Sequence, residues 1–153
     1  MKRYSFFLYV ALFAFVFLLD RVTKFFIVSQ KVFSYSVTSF LSFDLTLNRG
    51  VSWGMFDSQS TLIFSFVSIL IVGVTFGLML FAYWRLKDGY NIAGEVLAIA
   101  GSLSNIVDRI VYGGVVDFIS FHYGTFSWPI FNIADVCIVV GIFFVLINML
   151  IER

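Results

Sequence analysis

Apolar runs about as long as a bilayer is thick alternate along this chain with segments in which polar and apolar positions take turns. Four apolar stretches stand out, at about 4–28, 61–84, 92–110 and 130–151. Each is close to the ~20 residues a helix needs to cross the hydrocarbon core of a membrane. The pattern predicts an all-α membrane protein, a four-transmembrane-helix bundle forming a single domain over residues 1–153. Arg85-Leu86-Lys87-Asp88-Gly89 makes a short turn between the second and third spans, whereas 29–60 and 111–129 are longer segments on the opposite side. In the first of these, Phe33, Tyr35 and Val37 alternate with Ser34, Ser36 and Thr38, and Phe43, Leu45 and Leu47 alternate with Ser42, Asp44 and Thr46. Such period-two alternation predicts short strands with one apolar face. Asn48-Arg49-Gly50 then supplies a turn, and 51–56 returns toward the membrane. A loop resting on the lipid interface and a small half-immersed sheet cradling a substrate both fit this β-rich segment.

Composition sharpens the membrane reading. The chain is 61% hydrophobic and only 12% charged, against about a quarter charged in a soluble domain; its mean hydropathy is +1.01. Lipid is therefore the expected solvent. A net charge of +1 gives no case for nucleic acid as a partner. Cys137 is the sole cysteine, so no intrachain disulfide can form, and His122 is the sole histidine. Met1-Lys2-Arg3 before an apolar run imitates a signal peptide, but no small-x-small cleavage pattern precedes Asp20, and the run resumes at Phe25. We read it as a retained first span. Lys2, Arg3, Arg85, Lys87 and Arg153 share one side, while the loops on the other hold only Lys31 and Arg49. The positive-inside rule then puts both termini in the cytoplasm and the long loops outside. The third span is rich in small residues (Ala93, Gly94, Ala98, Ala100, Gly101, Ser102, Ser104), which marks it as the packed centre of the bundle. Gly73 and Gly77 form a GxxxG in the second span.

Against this background the ionisable residues stand out. Asp117 follows the third span and Asp135 opens the fourth, both at the outer boundary. A carboxylate in low dielectric is costly and two near each other repel, so packing alone does not account for them. Brought together they can share a proton and act as paired acid and base. Asp20 and Lys24, at i and i+4, are expected to neutralise each other structurally. Asn105 and Asp108 lie one turn apart with Arg109 on a neighbouring face, and Asn132 and Asp135 repeat that spacing. A nucleophilic triad would have to use His122 as its base; the chain has no G-x-S-x-G elbow, and a Ser–Lys24 dyad singles out no serine. Asp117, His122 and Asp135 make a metal set on paper, but without H-E-x-x-H or a second histidine. The expectation is no metal and no cofactor. A small proton-coupled transporter, using the same carboxylates as a relay, is the alternative, and a scaffold protein is a third reading.

In motif order the chain holds Asp20-x-x-x-Lys24, Asn48-x-Gly50 leading into Trp53-Gly54, Gly101-x-x-x-Asn105-x-x-Asp108-Arg109, Val116-Asp117-Phe118 and Phe131-Asn132-x-Ala134-Asp135. In these residues, over nearly its whole length, it resembles the lipoprotein signal peptidase family, or signal peptidase II, bacterial four-helix membrane aspartyl peptidases. The resemblance implies that Asp117 and Asp135 are catalytic. It implies that Asn48, Gly50, Asn105, Arg109, Asn132 and Ala134 line or brace the substrate cleft, with Asp108 holding that cleft through Arg109 or a neighbouring backbone. It also implies a substrate, diacylglyceryl-modified prolipoproteins cut N-terminal to the lipidated cysteine, and a multi-pass protein of the bacterial inner membrane, working as a monomer among membrane lipid. Ser104, where the family often has glycine, and Val51-Ser52, where it often has small residues, put fine substrate preference in doubt.

Overall fold

The structure, a computed structural model, describes residues 3–30, 34–50 and 60–151. Trp53-Gly54, the Val51-Ser52 departure, the return of 51–56, Lys31 and Phe33 lie outside the described residues, as do Lys2 and Arg153. Four helices carry the apolar stretches: α1 (Arg3–Ser29), α2 (Thr61–Lys87), α3 (Ala93–Tyr112) and α4 (Ile133–Ile151). α1, α2 and α4 are long and apolar enough to cross a membrane. Their outward faces carry residues such as Phe15, Phe25, Leu62, Phe66, Phe143 and Leu150, all exposed, which would be untenable in water.

α2 runs one turn beyond its apolar stretch, through Arg85 and Lys87, and stops at Asp88, after which Gly89 takes φ +87°, a backbone state few side chains tolerate. α4 begins three residues later than its apolar stretch. Phe131 instead pairs with Ile119, its N–H donating to the Ile119 carbonyl at 3.1 Å and its own carbonyl accepting from Ile119 at 2.8 Å.

α3 is the hub, packing most extensively against α4 and also against α1 and α2. Small residues allow the approach. A Cβ added at Gly101 would lie 2.5 Å from the Ala134 carbonyl oxygen, and one at Gly141 would lie 2.6 Å from that of Gly94. No flexible side chain can yield there. Gly101→Ala should therefore cost about 1–3 kcal/mol by overpacking and push back the first turn of α4, which carries Asp135. A lowered melting temperature in detergent, with reduced activity, checks this. By contrast, the Gly73 and Gly77 positions meet nothing within 4 Å, so this GxxxG packs against no described element.

Beside the helices lies an antiparallel sheet in the order β1-β2-β3-β4, from β1 (Ser34–Ser36), β2 (Leu41–Asn48), β3 (Val115–Tyr123) and β4 (Phe126–Ser127). β1 and β2 fall where alternation predicts them, but the simple apolar-in face does not hold. Ser42 is buried and Leu47 exposed, and the register shifts between Phe43 and Thr46, which breaks the alternation. A small polar cluster explains the burial of Ser42. Its hydroxyl bonds both Asp44 and, at 2.7 Å, His122 Nε2 on β3.

Candidate active site

Asp117 and Asp135 arrive from different elements. Asp117 is in β3 opposite Thr46 of β2, and Asp135 is in the first turn of α4. One residue joins them. The fully buried Asn132 donates its side-chain amide to Asp117 Oδ1 at 2.6 Å and its backbone N–H to Asp135 Oδ2 at 3.2 Å, while its Oδ1 accepts the Asp135 N–H at 2.8 Å. The exchange between Asn132 and Asp135 is a reciprocal capping box at the start of a helix. The cap that begins α4 thus also fixes the angle at which its carboxylate meets β3.

Each aspartate takes a second amide. Asn48, at the end of β2, donates Nδ2 to Asp117 Oδ2 at 3.0 Å. Asn105 of α3 donates Nδ2 to Asp135 Oδ1 at 2.9 Å. Both carboxyl groups open onto one cavity of about 570 Å³, which Asn48, Gly50, Asn105 and Arg109 also line. The wall continues along α2 and α4 as Leu70, Val74, Val139 and Val140. Burial, then the negative charge of Asp135, pushes the Asp117 carboxyl up to about 7, against the opposing pull of its two asparagine partners and of Lys24. At neutral pH Asp117 therefore holds its proton a good part of the time, as an acid needs to.

Behind the wall lies a buried ionic network. Lys24 Nζ reaches Asp20 Oδ2 and Asp108 Oδ2, each at 2.7 Å, and donates to Asn105 Oδ1 at 2.8 Å. That last bond decides which end of the Asn105 amide faces Asp135. Asp20 in turn accepts the Ser104 hydroxyl at 2.6 Å and the Ala134 N–H at 2.9 Å, tying α1 to α3 and to the start of α4. The expected Asp20–Lys24 pair is present, and it braces more than itself.

Asp108 does not pair with Arg109. It binds Arg21 and Lys24 and accepts the Val116 N–H at 3.2 Å, which fixes the beginning of β3. Arg109 turns the other way, donating to the carbonyls of Arg49 (3.2 Å) and Gly50, so it holds the chain after β2 over the cavity. Asn48, Gly50, Asn105 and Arg109 line the cavity; Asp108, Asn132 and Ala134 are buried behind it. Ser104, where an effect on substrate preference was expected, faces Asp20 instead. Two participants went unnoticed in the sequence. Arg21 had a signal, a second cation within an apolar run one residue after Asp20. Trp128, which lines the cavity, had none beyond its size.

His122 does not join the aspartates. Ser42, Ser120 and Ser127 surround its ring, and Asp44 bonds the serine rather than the imidazole nitrogen away from it, so no triad forms. Among the described residues no three His, Cys, Asp or Glu side chains converge as metal ligands.

Comparison with known proteins follows the same lines. A family model described as Signal peptidase (SPase) II matches residues 12–151. A lipoprotein signal peptidase of Anaplasma marginale (strain Florida) is 38% identical over 83% of this chain and 75% of its own length. One from Pelagibacter ubique (strain HTCC1062) is 35% identical over 91% of this chain and 85% of its own. One from Staphylococcus aureus (strain JH9) is 31% identical over 97% and 91%. Two solved bacterial membrane enzymes superpose with TM-scores of 0.76 and 0.74 at 29% and 31% identity, covering 94% and 95% of this chain and 88% and 94% of theirs.

Proposed function

The chain belongs to the signal peptidase II family and removes signal peptides from lipoproteins, and on that premise we propose that Asp117 and Asp135 carry out the hydrolysis. The observation that carries the proposal is Asn132 bonding both carboxyl groups at the mouth of one cavity. The ionised member takes a proton from water as it attacks the scissile carbonyl, and the protonated member donates a hydrogen bond to that carbonyl's oxygen. Asn48, Asn105 and Asn132 donate only N–H groups to the pair, which holds both carboxyls in place while leaving them free to exchange the proton.

The substrate is a diacylglyceryl-modified prolipoprotein, cut N-terminal to the lipidated cysteine. It joins an apolar helix to acyl chains, and the cavity matches it: polar at the aspartates, apolar along α2 and α4. α3 acts as the fourth span. Its 20 residues reach about 30 Å, and the other helices shield its polar face. The basic Arg85 and Lys87 at the end of α2 support an orientation with the α2–α3 turn and both termini in the cytoplasm of a bacterial inner-membrane protein and with the sheet and aspartates outside. A proton relay has no support: Glu95 pairs with Arg85 at 2.6 Å, and residues 96–104 of α3, between it and the aspartates, hold no ionisable side chain.

The test is incubation of purified protein in detergent with a lipidated precursor and with the same precursor left unmodified. Mass spectrometry should show a single cut before the modified cysteine and the unmodified chain intact. Cleavage elsewhere, or none, overturns the assignment. The pair titrates as a unit, so kcat/KM should fall on both sides of an optimum. Raising the pH takes the last proton off the pair and removes the acid, on the side where the Asp117 carboxyl is pushed up to about 7; acidifying places a second proton on the pair and removes the base. A profile with one ionisation would contradict this.

A further inference from the structure

The catalytic cavity does not end at the aspartates. Two of its lining residues, Trp128 and Phe131, also line a second groove of about 570 Å³ on the sheet, walled by Phe40, Phe121, Tyr123 and Phe126. Hydrogen bonds hold the wall in shape: the His122 N–H donates to the Phe40 carbonyl at 2.9 Å and the Trp128 N–H to the Phe121 carbonyl at 2.8 Å. Phe121 stacks on Phe131 with ring centroids 5.9 Å apart, so the groove wall is built onto a residue that also lines the cavity. Tyr123 is 86% exposed and Phe126 61%, so a large aromatic surface stands open beside the cleavage point.

We propose that this groove is a binding subsite for the segment of substrate that follows the lipidated cysteine, and that it favours uncharged apolar or aromatic residues there over acidic ones. The inference rests on the peptidase reading of the cavity. A peptide cut at the aspartates has two flanks that must leave in different directions. The signal helix and the acyl chains are apolar and remain in lipid, on the side where Leu70, Val74, Val139 and Val140 line the wall. The mature segment leaves the membrane and must pass the sheet. Trp128 and Phe131, which line both, set the groove directly beside the cavity on the sheet. The groove lining is aromatic apart from His122, whose ring is taken up by Ser42, Ser120 and Ser127, so it offers ring faces and edges to a passing chain and no lysine or arginine to an acidic one.

The experiment compares two lipidated precursors that differ only in the three residues after the cysteine, aromatic in one and acidic in the other. Wild type should cleave the first with a kcat/KM roughly tenfold higher, and the double variant Tyr123→Ser, Phe126→Ser should bring that ratio close to one. Both replaced side chains are exposed, so folding is not at risk. Equal cleavage of the two precursors by wild type overturns the subsite while leaving the peptidase reading intact. So does a variant that loses rate on both precursors alike, which is what an aromatic tip merely seated in lipid headgroups would give. No cleavage of either precursor by wild type would instead remove the peptidase reading.

Discussion

Asp135→Asn is expected to lower kcat/KM on a lipidated precursor by roughly 10³- to 10⁴-fold while leaving the protein folded and inserted. Asn keeps the shape of Asp and can keep its oxygen on the Asn132 N–H, so the cap of α4 should survive, while its NH2 gives up the bond from Asn105. The proton acceptor does not. Asp117→Asn should cost about as much, and the double variant little more, because the two groups act as one unit. A second readout separates this from general damage. Removing the negative charge of Asp135 relieves one of the causes that hold the Asp117 carboxyl up, so any residual activity should lose its acid at a lower pH than wild type. Initial rates across pH, with a melting curve for each variant, check both points. Retention of more than about a tenth of the wild-type rate by Asp135→Asn would move the chemistry elsewhere.

The second large effect concerns stability. Lys24 is the cation between Asp20 and Asp108, and all three side chains are fully buried. Lys24→Met leaves Asp20 with only the Ser104 hydroxyl and the Ala134 N–H, and no counter-charge. Breaking a buried pair from one side typically costs about 3–5 kcal/mol, which should lower the melting temperature by on the order of 10 °C. Lys24→Met combined with Asp20→Asn should recover part of that loss, since the stranded charge goes with its partner. Activity should not recover in parallel, because the Asn105 amide has still lost the shorter of the two donors that orient it toward Asp135 and keeps only Asn132 at 3.3 Å. Thermal melts and cleavage rates of the single and double variants test this; an unchanged melt for Lys24→Met would mean the network is not what holds α1 to α3.

The helices were legible because lipid demands long apolar runs, and the polar residues inside those runs stood out for the same reason. Gly101, Ala98 and Ser104 announced the close approach of α3 to its neighbours. β3 was not legible. Val115, Val116, Asp117 and Phe118 are buried in succession, so the strand lacks the alternation that exposes one face to water, and it read as connecting chain. Of the two partners the resemblance implies for Asp108, Arg109 or a neighbouring backbone, the backbone is the one it meets, at the Val116 N–H, and its cations come across the bundle from Arg21 and Lys24 of α1, where helix packing sets the partners. The double role of Asn132 was equally hidden, since its link to Asp117 depends on β3 lying beside the start of α4. Motif order suggests that the polar residues gather; the fold adds that one residue reaches both acids, through its side-chain amide and its backbone N–H.

The cavity is walled on its apolar side by residues of α2 and α4, while α2 leans chiefly on α3. A precursor held in lipid is expected to reach that flank sideways, through the plane of the bilayer rather than down from the aqueous phase. Encounter is then a two-dimensional search, and turnover should follow the mole fraction of precursor in the surface, not its concentration in the tube. Adding empty micelles or lipid at fixed total precursor would slow such an enzyme by dilution alone, without any inhibitor being present.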